Sequence, residues 1–477
     1  MLGINARRIV CHGVDALVSL AMMAIAVGAA GAAYATEFAG GHGALPVGTE
    51  LGEDALQRPR EIFRSEARGG RQSYLVTLGD IAFSSPSLLG SVAQQAGISC
   101  NTCHINGTTN PRLYIPGLAR RPGTFDTTGP LFNPKADDGV LDPLTAPSLR
   151  GASQLWPYGH DGRTPSLREF IRNVVVTEFA GPEPPREILD ALAAYIEDID
   201  FVPNRRMAPG GTLTGPVSDA ERRGESLFYK PFAHNPRLSC ATCHVPDQAF
   251  ADHRQHDVGS GGHFKTPTLL NANYNGPYFH DGRYDSYAQV VAYFDRTFYL
   301  GLSPQDRQDL VAYLEVVGDG EQALVPDDVD AHIAEIANFA KVLDTALPER
   351  NVPVAALALD TIDRELRDLT ECFPDRKDPT IKGGVNERIA ARGSLKELVL
   401  SLHAIGVFVR GARFDEATAG LSRYRALLES DLPRLKAAEP WSLFNQEVHD
   451  AHFAALRQVY GAATDPSSRA PPRMDRD

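Results

Sequence analysis

Apolar positions in the last part of the chain recur at steps of three and four: Leu395, Leu398, Leu402, Ile405 and Val409, then Phe414, Ala417, Leu421, Tyr424 and Leu428. Ile333, Ile336 and Phe339 begin a similar face. That period predicts antiparallel helices joined by turns at 348–353, 373–385, 410–412 and 436–440. Upstream, Ser218 with Glu221 three residues on makes a capping box for a helix through Leu227 and Phe228. Ser303 followed by Pro304 opens another helix, with Leu310, Tyr313 and Leu314 on one face. Between these helices lie many Gly, Pro and Asn residues and no alternating strand, so the fold class is mainly α with long loops.

The pattern is also duplicated. The blocks "LGDIAF", "SCNTCH", "TAPSLRGASQLWPYGHDGRTPSLREFI" and "ILDALAAYIEDI" return in the same order as "RGESLF", "SCATCH", "KTPTLLNANYNGPYFHDGRYDSYAQVV" and "DLVAYLEVVG". Four blocks in one order make the repeating unit a domain rather than a local motif. The Pro- and Gly-rich stretch 201–218 reads as the linker between the copies.

Composition is ordinary for a globular protein of 477 residues, with 43% hydrophobic and 22% charged residues. The formal charge of -13 disfavours nucleic acid as a partner. Arg7 and Arg8 precede an apolar run to Ala33, and Ala33-Tyr34-Ala35 supplies the small-x-small pattern of a signal cleavage site. Residues 1–35 are therefore expected to be a signal peptide, with export to the periplasm. No later stretch approaches the ~18 apolar residues of a membrane span. Cleavage removes Cys11; of the five cysteines left, Cys372 stands apart from the others and reads as a buried lone thiol.

The other four form Cys100-x-x-Cys103-His104 and Cys240-x-x-Cys243-His244. Zinc needs four ligands, and each motif would have to recruit a distant partner. A redox dithiol leaves the histidine without a role. Covalent haem c uses every residue: two thioethers to the porphyrin and the adjacent imidazole as proximal iron ligand. The expected layout is two tandem cytochrome c-like haem domains, 36–205 and 206–322, then a C-terminal helical bundle over 323–463 and a disordered tail over 464–477. The bundle is read as docking or covering, and its His403, His449 and His452 as surface or packing residues.

Function then turns on the sixth iron position, since a strong ligand there gives an electron carrier and an open site admits peroxide or oxygen. After signal removal only Met207 and Met474 remain, which disfavours a pair of His/Met carriers. His160 and His280 occupy the same slot of the repeat, in "PYGHDGR" and "PYFHDGR". Each is a candidate either to ligate iron or to pin the turn made by the following Asp-Gly.

The paired C-x-x-C-H motifs, the "TP[ST]L" stretch leading into "PYFHDG" and the helix after it resemble the bacterial dihaem cytochrome c peroxidase and MauG superfamily, over roughly residues 60–320. The resemblance implies a haem-dependent oxidoreductase. It further implies a peroxidase-like N-terminal haem, a C-terminal electron-transfer haem, and either a small electron-donor cytochrome or an oxidised partner protein. It also implies a distal ligand past the second HDG turn; that position falls on Phe294, which cannot ligate, so Tyr293 in a slipped register is the candidate and His280 the reserve. The family's distal acid follows Leu167, where Arg168 and then Glu169 stand, and a carboxylate there would move a proton between peroxide oxygens. The solvated Arg168–Glu169 pair is the alternative. Interdomain calcium is implied at the backbone oxygens of Asn275 and Pro277. Trp156 follows "TAPSL", where the family has its Trp before it; it reads either as a core residue or as a relay between haems.

Overall fold

The computed structural model describes residues 45–460 apart from 47, 53–55, 68, 71, 209 and 376. The expected signal peptide, Met474 and the expected tail lie outside the described residues. The elements in order are β1 (Gln57–Pro59), α1 (Arg64–Ala67), α2 (Tyr74–Ser84), α3 (Gly90–Ala96), α4 (Cys100–Cys103), β2 (Thr124–Phe125), β3 (Leu144–Thr145), α5 (Leu167–Asn173) and α6 (Arg186–Asp198). The second copy supplies α7 (Asp219–Tyr229), α8 (Cys240–Cys243), β4 (Gln255–Asp257), β5 (His263–Lys265), α9 (Tyr287–Thr297) and α10 (Pro304–Gly318). There follow β6 (Leu324–Pro326), α11 (Val329–Ala340), α12 (Leu343–Ala346), α13 (Val352–Glu371), α14 (Val385–Arg410), α15 (Phe414–Ala438) and α16 (Gln446–Tyr460). The fold is mainly helical.

The capping signals are realised. Ser218 and Glu221 form a reciprocal box at α7, and Ser303 and Asp306 form one at α10. In each copy the first helix crosses the last at a glycine. A Cβ on Gly79 of α2 would collide with the Ala191 carbonyl of α6, and a Cβ on Gly224 of α7 with the Asp309 carbonyl of α10. Next to each crossing an aromatic pair fills the gap, Phe83 with Tyr195 at 5.0 Å between ring centroids and Phe228 with Tyr313 at 5.1 Å. The two copies thus repeat in packing as well as in sequence.

They differ in what surrounds them. The core of the first copy runs without a break into the C-terminal helices: Leu78, Ile81 and Phe83 of α2 join one cluster with Ile336, Ile362, Leu366 and Leu395. Helices α11 and α13 pack directly on α2. The second copy has its own smaller core around Phe228, Val291, Leu310 and Tyr313. Short strands β1 and β6 pair antiparallel, with Arg58 opposite Val325, so the chain leaves the first copy, builds the second and returns. Arg58 and Asp327, both buried, ion-pair at 3.2 Å beside that pairing.

The 201–218 stretch is tied down rather than loose: Met207 bridges Leu213, and the hydroxyls of Tyr229 and Tyr313 donate to the Gly211 carbonyl at 3.2 and 3.1 Å. The predicted helical faces of the extension are buried as expected, from Leu395 to Val409 on α14 and from Ala417 to Leu428 on α15. His403 is an exposed residue reaching Asp363 at 2.9 Å, and buried His452 packs against Asp378 at 2.8 Å. Cys372 is fully buried, as expected, and packs with Leu443. No single helix among the described residues is long and apolar enough to cross a membrane.

Candidate haem sites

Each cysteine pair lies on one helical turn, α4 or α8, where positions i and i+3 share a face. The turn is closed by its own sequence. The Ser99 N–H donates to Thr102 Oγ1 at 3.1 Å and the Ser239 N–H to Thr242 Oγ1 at 2.9 Å, forming the same box twice. The next residue, His104 or His244, leaves the helix with its N–H bonded to the carbonyl of Cys100 or Cys240, at 2.9 and 3.0 Å. Both imidazoles then donate through Nδ1 to a backbone carbonyl, His104 to Pro147 at 2.9 Å and His244 to Phe250 at 3.1 Å.

A ring that donates through Nδ1 presents an unprotonated Nε2, the tautomer an axial iron ligand requires. Burial reinforces it, lowering the His104 pKa to about 4 and lowering that of His244 as well. Burial also pushes the Cys100 thiol up to about 12 and Cys240 to about 11, which opposes the thiolates that zinc or a dithiol centre would use. All four cysteines are free of disulfides. Among the described residues, one donor group of another kind exists: Cys243, Asp252 and His256, with atoms within 4.8 Å of one another. Three donors fall short of a closed zinc site, and no such group is found at the first motif. The donor set fits haem c at both turns.

The loops after the motifs exchange between copies. Thr145 and Lys265 hold equivalent places in the repeat, as do His160 and His280. The Thr145 N–H donates to the His280 carbonyl at 2.7 Å, and reciprocally the Lys265 N–H donates to the His160 carbonyl at 2.8 Å. His160 Nε2 is bonded to the Thr145 carbonyl at 2.8 Å, so this side chain pins the joint and does not face an iron through that atom. His280 is half-buried and stacks on Phe264, with ring centroids 3.6 Å apart. The Tyr293 hydroxyl donates to the Val258 carbonyl at 2.7 Å while its ring packs on Phe279, Tyr284 and Phe294. Ligation by Tyr293 would require it to give up that bond.

The expected distal pair is placed elsewhere. Helix α5 buries Leu167 and Ile171, and at about 100° per residue Glu169 falls on the opposite, exposed face. Arg168 is spent on an ion pair with Asp190 of α6. Neither is gathered into an enclosed site, and helix phase is the reason. Glu178, partly buried at the end of a π-helical segment over 174–178, meets Arg163 Nη2 at 2.9 Å, while Glu61, Asp80 and Asp126 are fully buried acids of the first copy. Burial raises the Glu178 pKa against the pull of Arg163. Nothing in the local sequence marks it. Trp156 is 52% exposed and stacks on His253 at 4.4 Å, correcting the expectation of a core residue. Asn275 and Pro277 precede the second HDG turn on a cis Gly276–Pro277 bond, mirrored by Leu155 and a cis Trp156–Pro157 bond in the first copy.

Residues 219–350 match the family described as di-haem cytochrome c peroxidase, which extends the resemblance past residue 320 into α11 and α12. The gamma subunit of hydrazine synthase from Kuenenia stuttgartiensis is 25% identical over 329 residues, 56% of this chain and 83% of that one. Methylamine utilization protein MauG from Methylorubrum extorquens is 26% identical over 295 residues, covering 51% and 77%. A cytochrome-c peroxidase from a Pseudomonas species is 35% identical over 77 residues, 14% of this chain and 20% of that one. A solved hydrazine synthase structure from Kuenenia stuttgartiensis covers 62% of this chain and 98% of its own, at 21% identity and a TM-score of 0.38, too low to carry an argument. Residues 219–350 are thus similar to the di-haem cytochrome c peroxidase family, and longer stretches of the chain are similar to MauG and to the hydrazine synthase gamma subunit at 25–26% identity.

Proposed function

We propose that the protein is an exported, periplasmic dihaem c-type oxidoreductase resembling MauG, which uses peroxide or oxygen at one haem to oxidise a partner protein or substrate through the other. The observation that carries this reading is the twofold occurrence of one construction: a capped cysteine turn followed by an imidazole whose Nδ1 is fixed by a backbone carbonyl. Cys100 and Cys103 would attach one haem and Cys240 and Cys243 the other, with His104 and His244 as proximal ligands. Haem c bound there supplies one-electron chemistry, and peroxide or oxygen binding wherever the sixth position is open.

The protein's own groups do the rest. His104 and His244 hold Nε2 unprotonated and aimed by their carbonyl partners. At the second site Tyr293 and His280 are the side chains offered for the sixth position; a phenolate there would favour the ferric state. The backbone oxygens of Asn275 and Pro277 are the calcium site of this reading.

The peroxidase match supports a second reading, a cytochrome c peroxidase that reduces hydrogen peroxide with electrons from a small cytochrome. A pure electron-transfer dihaem cytochrome is the third. Electron paramagnetic resonance of the ferric protein separates them. A high-spin signal that changes on adding peroxide supports catalysis, and two low-spin signals unmoved by peroxide leave electron transfer alone. Turnover of peroxide only when a reduced small cytochrome is supplied would favour the peroxidase.

A further inference from the structure

Lys265 is a residue of the joint whose chemistry the repeat does not duplicate. Its ammonium donates to two backbone carbonyls of the first copy, Leu155 and Pro157, each at 2.7 Å. It is partly buried, and that burial lowers its pKa to about 8 while leaving it mainly charged at neutral pH. In the second copy the equivalent carbonyls are those of Asn275 and Pro277, and the residue equivalent to Lys265 is Thr145, which carries no charge. The repeat is thus asymmetric at this point: a lysine serves the carbonyl pair of the first copy, while the hydroxyl of Thr145 donates to the Phe279 carbonyl at 3.4 Å.

The position of Lys265 is central. Two residues along the chain, the backbone of Pro267 lies beside the His244 ring, whose Nδ1 donates to the Phe250 carbonyl at 3.1 Å. Across the joint, the Lys265 N–H holds the His160 carbonyl, His160 Nε2 binds the Thr145 carbonyl, and two residues on, Pro147 accepts from His104. A run of backbone segments and hydrogen bonds therefore joins the two proximal histidines, and Lys265 lies in the middle of it.

We propose that Lys265 is the fixed cation of the joint: its ammonium clamps the Leu155–Pro157 loop of the first copy to β5 of the second, and its charge raises the reduction potential of both irons. This rests on the dihaem reading. A positive charge shielded from solvent disfavours the ferric state relative to the ferrous at either side of it, and low local dielectric lets one charge act on both sites. Lys265 acts through its charge and through the joint it holds, as a positioning residue.

The test compares Lys265→Gln, Lys265→Met and Lys265→Arg in the full-length holoprotein by optical redox titration, with haem content measured separately by pyridine haemochrome. Gln keeps a donor for the carbonyls and loses the charge, Met loses both, and Arg keeps the charge. Both midpoint potentials should fall together in the Gln and Met variants and stay near wild type in the Arg variant; only Met should also lower the melting temperature. Native potentials at both haems in the neutral variants, or a fall at one haem alone, would overturn the proposal. Loss of haem from the wild-type protein itself would instead remove the dihaem reading.

Discussion

The two cysteine turns are the same object in different surroundings. In the first copy Ser99, Asn101, Thr102 and Asn106 are buried around the turn; in the second, no residue of α8 is buried. The first copy also shares its core with the C-terminal helices, whereas the second relies on a small core of its own. One local sequence signal therefore yields a turn packed among buried neighbours and a turn with fewer of them, and the surroundings make the difference. On the proposed reading, the less buried turn suits electron exchange with a partner protein, because a haem edge near solvent is the edge a partner can approach. The more buried turn suits chemistry that must be shielded from water.

This contrast can be broken most severely at the motifs. Replacing Cys100 and Cys103 by alanine should halve haem content per chain and weaken the first copy together with the extension, while replacing Cys240 and Cys243 should halve haem content and leave α2, α6 and α13 folded. Haemochrome assay with limited proteolysis reads both. If the second pair of substitutions also unfolds the extension, the cores are not independent.

Next in size is the shared core. Leu366 is fully buried on α13, and Leu366→Ala should cost about 2–5 kcal/mol. The loss should show as earlier melting of the first copy, with the second haem's spectrum unchanged at the same temperature. The glycine crossings sharpen the comparison further. Gly79→Ala and Gly224→Ala each force a methyl against a carbonyl and should cost about 1–3 kcal/mol by overpacking. Gly79→Ala should disturb the extension as well, and Gly224→Ala should not.

The smallest effect is a pH dependence confined to the extension. Burial alone would raise the Asp378 pKa, but hydrogen bonds from His452 and Thr380 outweigh it and hold the carboxyl at about 2. A folded value below the unfolded one of about 3.9 adds stability above that pH, which fades as pH falls toward 2. Docking of α16 should loosen over that interval in the wild type. Asp378→Asn should remove that dependence, as read by hydrogen exchange in α16.

Much of this was legible in the sequence because it is local. The boxes at Ser218 and Ser303 bond three residues ahead, and the faces of α14 and α15 follow a helical period. The cysteine turns repeat as strings. What was not legible depends on distant partners. Strands β1 and β6 are three residues each and pair across the whole second copy, with no alternation to announce them. The orientation of Glu169 depends on helix phase: one residue along a helix moves a side chain by about 100°, and this one lies on the exposed face. Lys265 reads as an ordinary surface lysine until the first copy's carbonyls are brought to it.

Peptide mass spectrometry of the mature protein after denaturation tests the central claim most directly. Peptides spanning Cys100–Cys103 and Cys240–Cys243 should each carry one haem that denaturant and acid acetone do not remove. Free thiols at either pair, or zinc in place of a Soret-absorbing group, would contradict the account.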